Sequence, residues 1–273
     1  MWGRRDVVQA QAEPPVWGRN KLFAVMACAV VVVLLLVTGL VLAVMYAVAP
    51  DPAEANGGRA AAGESQAEST DPRQDALANE PMPTAGHSDA VPGPLSTRDP
   101  GVIELPRATG VGPADVPTGL PRTPEGALAQ LASIDVTAMQ TGSLPGVREV
   151  ITGWAAPGGP TAETWTGVYG MARMLSAAGL SDSGSPQLAV VVRPAMGLIK
   201  GTVGPDFAVV CVDYEFTVTL AQTARIAIAD CQRMIWDGDR WVIGPGPEPF
   251  PAPSVWPGTD LAIEVGYQDL RYV

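Results

Sequence analysis

From Leu22 to Ala49 the chain runs LFAVMACAVVVVLLLVTGLVLAVMYAVA without one charged residue. That exceeds the roughly 20 apolar residues a helix needs to cross a hydrocarbon core of about 30 Å. Lipid offers no water to backbone groups, so a lone span is predicted to be helical. Arg4, Arg5, Arg19 and Lys21 precede it, whereas Asp51 and Glu54 follow it and Arg59 is the first basic residue beyond. This asymmetry predicts a cytoplasmic tail at 1–21 and an extracytoplasmic remainder, with Trp17 and Tyr46 near the two interfaces. The rival reading is a cleaved signal peptide, for which Ala47-Val48-Ala49 resembles a cleavage site. Against it, the apolar run is about twice the usual core of such a signal, and Pro50 is a poor first mature residue. An uncleaved anchor is preferred; Gly39-x-x-x-Ala43 is only a weak helix-pairing signal.

The pattern becomes amphipathic after residue 122. Thr123-Pro124-Glu125 reads as a helix start, with a hydroxyl cap, a proline in the first turn and an acid near the positive end of the dipole. Leu128, Leu131, Ile134 and Ala138 then recur at helical spacing through residue 140. A shorter helix is predicted over Val147 to Trp154, ending at Pro157-Gly158-Gly159-Pro160. A third, capped by Thr161 and stopped at Gly179, carries Trp165, Val168, Tyr169, Ala172 and Leu175 as its apolar stripe. Beyond Pro186 the period shortens. Leu188 to Val192 and Met196 to Val203 read as short strands separated by Arg193-Pro194, and Phe207 to Leu220 as a long one. After a turn near 221–223 the alternation of Ala224 to Ala229 marks its partner, so the sheet is predicted to be antiparallel. Trp236-Asp237-Gly238-Asp239-Arg240-Trp241 reads as a hairpin whose Gly238-Asp239 loop sets Trp236 against Trp241; an Asp237-Gly238 loop would shift the register by one. Gly244-Pro245-Gly246-Pro247 ends the last strand, and the proline-rich run to Pro257 is expected to lie extended over the surface. A terminal helix is predicted over Thr259 to Leu270.

Composition adds the segment between anchor and domain. Residues 50–122 are rich in Pro, Ala, Gly, Ser and acids, with too little apolar material to offset ordering entropy, and read as a disordered spacer. As a flexible chain it spans about 50 Å. Gly101-Val102-Ile103-Glu104-Leu105-Pro106 is an apolar patch within it that reads as an edge strand, which puts the domain boundary between 100 and 123, drawn here at 123. The formal net charge of −11 and the lack of a Lys/Arg cluster argue against nucleic acid as a partner.

Chemistry is sparse. His87, the only histidine, falls in the spacer, so Ser/His triads and His-containing zinc sites are not expected in the domain. Neither a phosphate-binding loop, a dinucleotide fingerprint nor a nucleophile elbow is present, and no cofactor or metal is expected. Asp213 and Glu215, two apart on a strand, share a sheet face and with Tyr169 or Tyr214 form the only weak catalytic alternative. A polar face paired with Arg225 or Arg233 explains them more simply. Cys211 and Cys231 lie symmetrically about residue 221, where the chain turns, so a cross-strand disulfide is geometrically open to them, the alternative being two buried thiols.

Two or three helices followed by a curved antiparallel sheet with a long central hairpin resemble the α+β roll of the nuclear-transport-factor-two-like superfamily. Anchor, spacer and such a domain together resemble the inner-membrane scaffold subunits of conjugative type IV secretion systems. The stretch CQRMIWDGDRWVIGPG, residues 231–246, is similar to uncharacterised actinobacterial membrane proteins that accompany mobile elements. These resemblances imply a single-pass plasma-membrane protein acting as a non-enzymatic assembly subunit of an envelope complex. Its partners would be the bilayer, through Leu22 to Ala49, and other envelope proteins or a second copy. Trp236, Arg240, Trp241 and Trp256 are the contact candidates, on the hairpin and the proline-rich run. The alternatives are an extracytoplasmic module binding a lipid or small ligand, and a small isomerase or hydrolase using the strand carboxylates.

Overall fold

The computed structural model describes residues 71–273. The cytoplasmic tail, the apolar span 22–49 and the first part of the spacer lie outside the described residues. No helix among the described residues is long and apolar enough to cross a membrane.

Among the described residues, five α-helices, α1 (Pro72–Ala78), α2 (Pro124–Gln140), α3 (Leu144–Trp154), α4 (Thr166–Ala177) and α5 (Asp260–Val265), accompany eight strands. The strands are β1 (Val102–Leu105), β2 (Gly110–Val111), β3 (Pro117–Thr118), β4 (Ala189–Thr202), β5 (Phe207–Thr219), β6 (Thr223–Trp236), β7 (Trp241–Ile243) and β8 (Gln268–Tyr272). The order β1-β8-β4-β5-β6-β7 makes an α+β fold around a curved sheet, with β2 and β3 forming a separate ribbon. The sheet is mixed rather than purely antiparallel, because β1 runs parallel to β8. That pairing joins Val102 to Asp269, far apart in sequence, so no local connection could reveal it.

The helix starts follow from their caps. Thr123 Oγ1 accepts the Gly126 amide at 3.1 Å, and Ser143 Oγ accepts that of Gly146 at 3.3 Å. Gly126 admits no side chain, since a Cβ there would stand 2.0 Å from the Pro121 carbonyl oxygen. Helix α3 begins at Leu144, three residues before the predicted start, and α4 at Thr166, five after it. Thr161 organises the turn ahead of α4 instead, its carbonyl accepting the Trp165 amide. Trp165, Val168 and Leu175 are buried as expected, but Tyr169 is 56% exposed.

Strand β4 is one strand where two were predicted: register shifts between Pro194 and Met196 and between Ile199 and Gly201 absorb the proline and bend the sheet. The hairpin has the expected register, Trp236 facing Trp241, with Gly238 at φ 105° and the Asp237 amide donating to the Arg240 carbonyl at 3.0 Å. The predicted terminal helix stops at Val265, where left-handed Gly266 turns the chain into β8.

Successive β5 residues face opposite layers. Ala208, Val210, Val212, Tyr214 and Phe216 join the core formed with α2, α3 and α4. Cys211 meets Met82, Met196, Cys231, Val255, Val265 and Tyr267 on the other side, while Phe207 and Val209 pack with Ala78. This second layer corrects the reading of the spacer. From Asp71 the chain is folded, burying Ala78, Met82, Ala90, Ile103, Leu105, Val116 and Leu120. It crosses the proline-rich strap, residues 244–257, where the Phe250 amide donates to the Ala78 carbonyl at 2.9 Å and that of Trp256 to Asp89 at 2.6 Å. A segment too poor in apolar residues to build its own core needs only a few when it docks on a finished sheet.

Candidate functional site

Helix α4, the Asp135 turn of α2, strands β5 and β6, and the strap enclose a cavity of about 600 Å³. Its wall is largely apolar, contributed by Met139, Met171, Met174, Phe216, Ile226 and Ile228. Strand alternation explains this: Tyr214 and Phe216 on β5 and Ile226, Ile228 and Asp230 on β6 project toward the helices, and register pairs Phe216 with Ile226 and Tyr214 with Ile228. On its side away from β5, strand β6 pairs with β7 only from Met234 to Trp236, and the strap covers the earlier part of that edge, the Ala229 amide donating to Ser254 Oγ at 2.9 Å.

Three carboxyl groups line this otherwise oily space: Asp135 on α2, Asp230 on β6 and Glu248 on the strap. Tyr214 donates to Asp135 Oδ2 at 2.6 Å, while Asp135 Oδ1 is buried without a partner. Gln232 Nε2 donates to both Asp230 oxygens, at 3.2 and 3.0 Å, and the Thr166 amide at the start of α4 donates to Glu248 Oε1 at 3.0 Å. Burial pushes the Asp135 carboxyl well above the ordinary range, and the nearby Asp230 and Glu248 charges push it the same way, against the Tyr214 hydrogen bond. Burial and the Glu248 charge raise Asp230 to about 7. Burial also raises Glu248 against its hydrogen bonds to Thr166 and Gln232. Burial raises the Tyr214 phenol, and the Asp135 charge adds to it. The indole N–H of Trp165, 1% exposed and also lining the cavity, has no acceptor.

The residues nominated from sequence do not assemble this site. Asp213 precedes Tyr214 and therefore faces the opposite layer, fully buried and without a side-chain donor to either oxygen. Burial holds its pKa well above normal, with only the Val255 backbone amide opposing. Glu215 is paired with both Arg193 and Arg225, which hold it below its usual value despite partial burial. Tyr169 lines the cavity but meets neither carboxylate, so the catalytic alternative built on Asp213, Glu215 and Tyr169 is not brought together. The four contact candidates serve the fold. Trp241 is buried and donates to Pro121 O at 2.9 Å, Trp236 packs edge-on against it, and Arg240 lies 4.4 Å from the Trp154 ring. Trp256 is 7% exposed beneath the Arg225 guanidinium, 4.9 Å from its ring centre. Cys211 and Cys231 are cross-strand partners joined by a disulfide. His87 is half-buried on the folded domain rather than in a free spacer, but it does not line the cavity.

Sequence reading missed Asp135, Asp230 and Glu248, although two of them left a signal. Asp135 interrupts the buried stripe of Leu128, Leu131, Ile134 and Ala138, and Asp230 continues the inward alternation of Ile226 and Ile228. Among the described residues no three His, Cys, Asp or Glu side chains are placed to hold a metal ion. No protein-family model, no curated protein and no solved structure matches this chain.

Proposed function

We propose that the described domain is a small-ligand-binding module of the roll type resembling the nuclear-transport-factor-two-like superfamily. In this proposal the apolar segment 22–49 tethers it to the plasma membrane and holds it outside the cytoplasm. The observation that carries the binding role is the cavity of about 600 Å³, apolar over most of its wall and equipped with a few hydrogen-bonding groups, which is the common form of a small-molecule site. Catalysis is not part of the proposal, because, of the carboxyls nominated for it, Asp213 lies on the sheet face away from the cavity and Glu215 is paired with Arg193 and Arg225. A scaffold role in a conjugative or other envelope complex ranks second, since two of its four contact candidates, Trp241 and Trp256, are buried within the fold.

The test uses full-length protein in phosphatidylcholine nanodiscs and the neutral apolar dye N-phenyl-1-naphthylamine, read against empty nanodiscs. Gly170, on the cavity wall of α4, has nothing within 4 Å of a Cβ built on it, so Gly170→Phe puts a ring into the cavity without a backbone clash. Saturable dye binding that falls about tenfold in this variant supports the proposal. Equal dye binding by wild type and a folded Gly170→Phe variant overturns it.

A further inference from the structure

The binding reading leaves open what the cavity is built to recognise, and the inference drawn here rests on that reading. Three acids converge on one apolar space, and the charges acting on them are one another's: Asp135 feels Asp230 and Glu248, and Asp230 feels Glu248. The arginines on the wall are Arg173 and Arg225, and the guanidinium of Arg225 is committed to Glu215 and the Trp256 ring. A buried carboxylate without a cation is costly, and ordinary folds supply a Lys or Arg to it, as this one does for Glu215. A second observation points to a missing occupant. Asp135, 4% exposed, keeps Oδ1 unpartnered although Tyr214 holds Oδ2, and the Trp165 indole, on a different element, keeps its N–H unpartnered. One acceptor and one donor are thus buried and unused on two residues that line the same cavity.

We propose that the cavity binds a cationic amphiphile, a molecule with one ammonium group on an apolar body that also carries a hydrogen-bond acceptor. The ammonium sits among Asp135, Asp230 and Glu248 and donates to the free Asp135 oxygen. The acceptor takes the Trp165 N–H, and the apolar body lies against Met139, Met171, Phe216 and Ile228. A neutral ligand of the same shape fills the apolar space but offers no cation to hold the acids ionised, and a carboxylate ligand adds one more buried anion to the cluster.

The probe is dansylcadaverine, an ammonium on a five-carbon chain with a sulfonamide acceptor and a fluorescent ring system. Its controls are N-pentyl dansylamide, which lacks only the ammonium, and dansyl-6-aminohexanoic acid, which carries a carboxylate. Binding to full-length protein in phosphatidylcholine nanodiscs is read by dansyl emission over empty nanodiscs at pH 7.5. The expected order is amine tightest, neutral analogue at least tenfold weaker, acid undetectable. Asp135→Asn and Asp230→Asn should each weaken the amine about tenfold and leave the neutral analogue within about twofold, which a general loss of structure would not do. Trp165→Phe should weaken both sulfonamides alike. Equal affinity for amine and neutral analogue, both abolished by Gly170→Phe, overturns the cationic assignment and leaves the binding module standing. If neither probe is sensitive to Gly170→Phe in a variant that melts like wild type, both proposals fall.

Discussion

The two faces of the sheet bury the same chemistry to opposite ends. On the strap face, Asp213 is fully buried beside the layer containing Cys211, Cys231, Val255 and Tyr267, with only the Val255 backbone amide set against the cost of burying its carboxyl. On the helix face, Asp135 and Asp230, met by Glu248 from the end of the strap, have donors in Tyr214, Gln232 and the Thr166 amide, and they border open volume. A buried acid by itself therefore says little about function. A cost borne in a closed layer is only a cost, whereas one borne on a cavity wall can be offset by a ligand.

The largest effect is expected on the strap face. Removing the disulfide as Cys211→Ala with Cys231→Ala releases a 20-residue loop, which should cost about 3 kcal/mol in chemical denaturation. Cys211 packs in the layer away from the cavity, although Cys231 borders it, so dansylcadaverine affinity at 25 °C should stay within about twofold; a large loss in a variant still folded would couple the faces and break the comparison.

Next comes Asp213→Asn. A carboxyl whose folded pKa is raised binds more protons folded than unfolded, so its contribution to stability is undiminished below the unfolded value near pH 4 and declines as pH rises toward the folded value. The variant should lose that decline and be the more stable at pH 8, measured as denaturation midpoints from pH 4 to 8. Asp230→Asn should flatten the same curve over a bounded window, from about pH 4 to about 7. Dansylcadaverine should restore wild-type stability over that window, but not the penalty at Asp213. Ligand relief of the Asp213 slope instead would reverse the assignment of faces.

Tyr214→Phe should cost about 1 kcal/mol by leaving Asp135 without its donor, and calorimetry should show the deficit shrinking as dansylcadaverine is added. The smallest change is expected from Glu215→Gln. Its arginine partners are largely exposed, so less than about 1 kcal/mol should be lost, with probe binding unchanged.

How much of this was written in the sequence depends on how local each feature is. The cap of α2, the Trp236/Trp241 register and the apposition of Cys211 with Cys231 are legible because a few neighbouring residues or one turn decide them. The parallel β1/β8 pair was not, since Val102 and Asp269 meet only after the whole domain has folded. Residues 71–122 were misread because composition measures whether a segment can fold alone, while Ala78, Met82 and Ile103 need only a surface to dock on. The acidic site was half legible: Asp135 and Asp230 break apolar periodicities on one helix and one strand, but Glu248 is brought beside them only by the path of the strap. Asp213 and Glu215 drew attention by proximity along a strand, which fixes a shared face but not its surroundings.

The most direct measurement is isothermal titration of dansylcadaverine into the full-length protein in nanodiscs, corrected for empty discs, for wild type and Gly170→Phe side by side. The expected result is one binding site per chain in wild type and heats at the empty-disc level in the variant, both proteins showing the same melting transition. Identical one-site isotherms for the two proteins would contradict a ligand held in the cavity between α4 and the sheet.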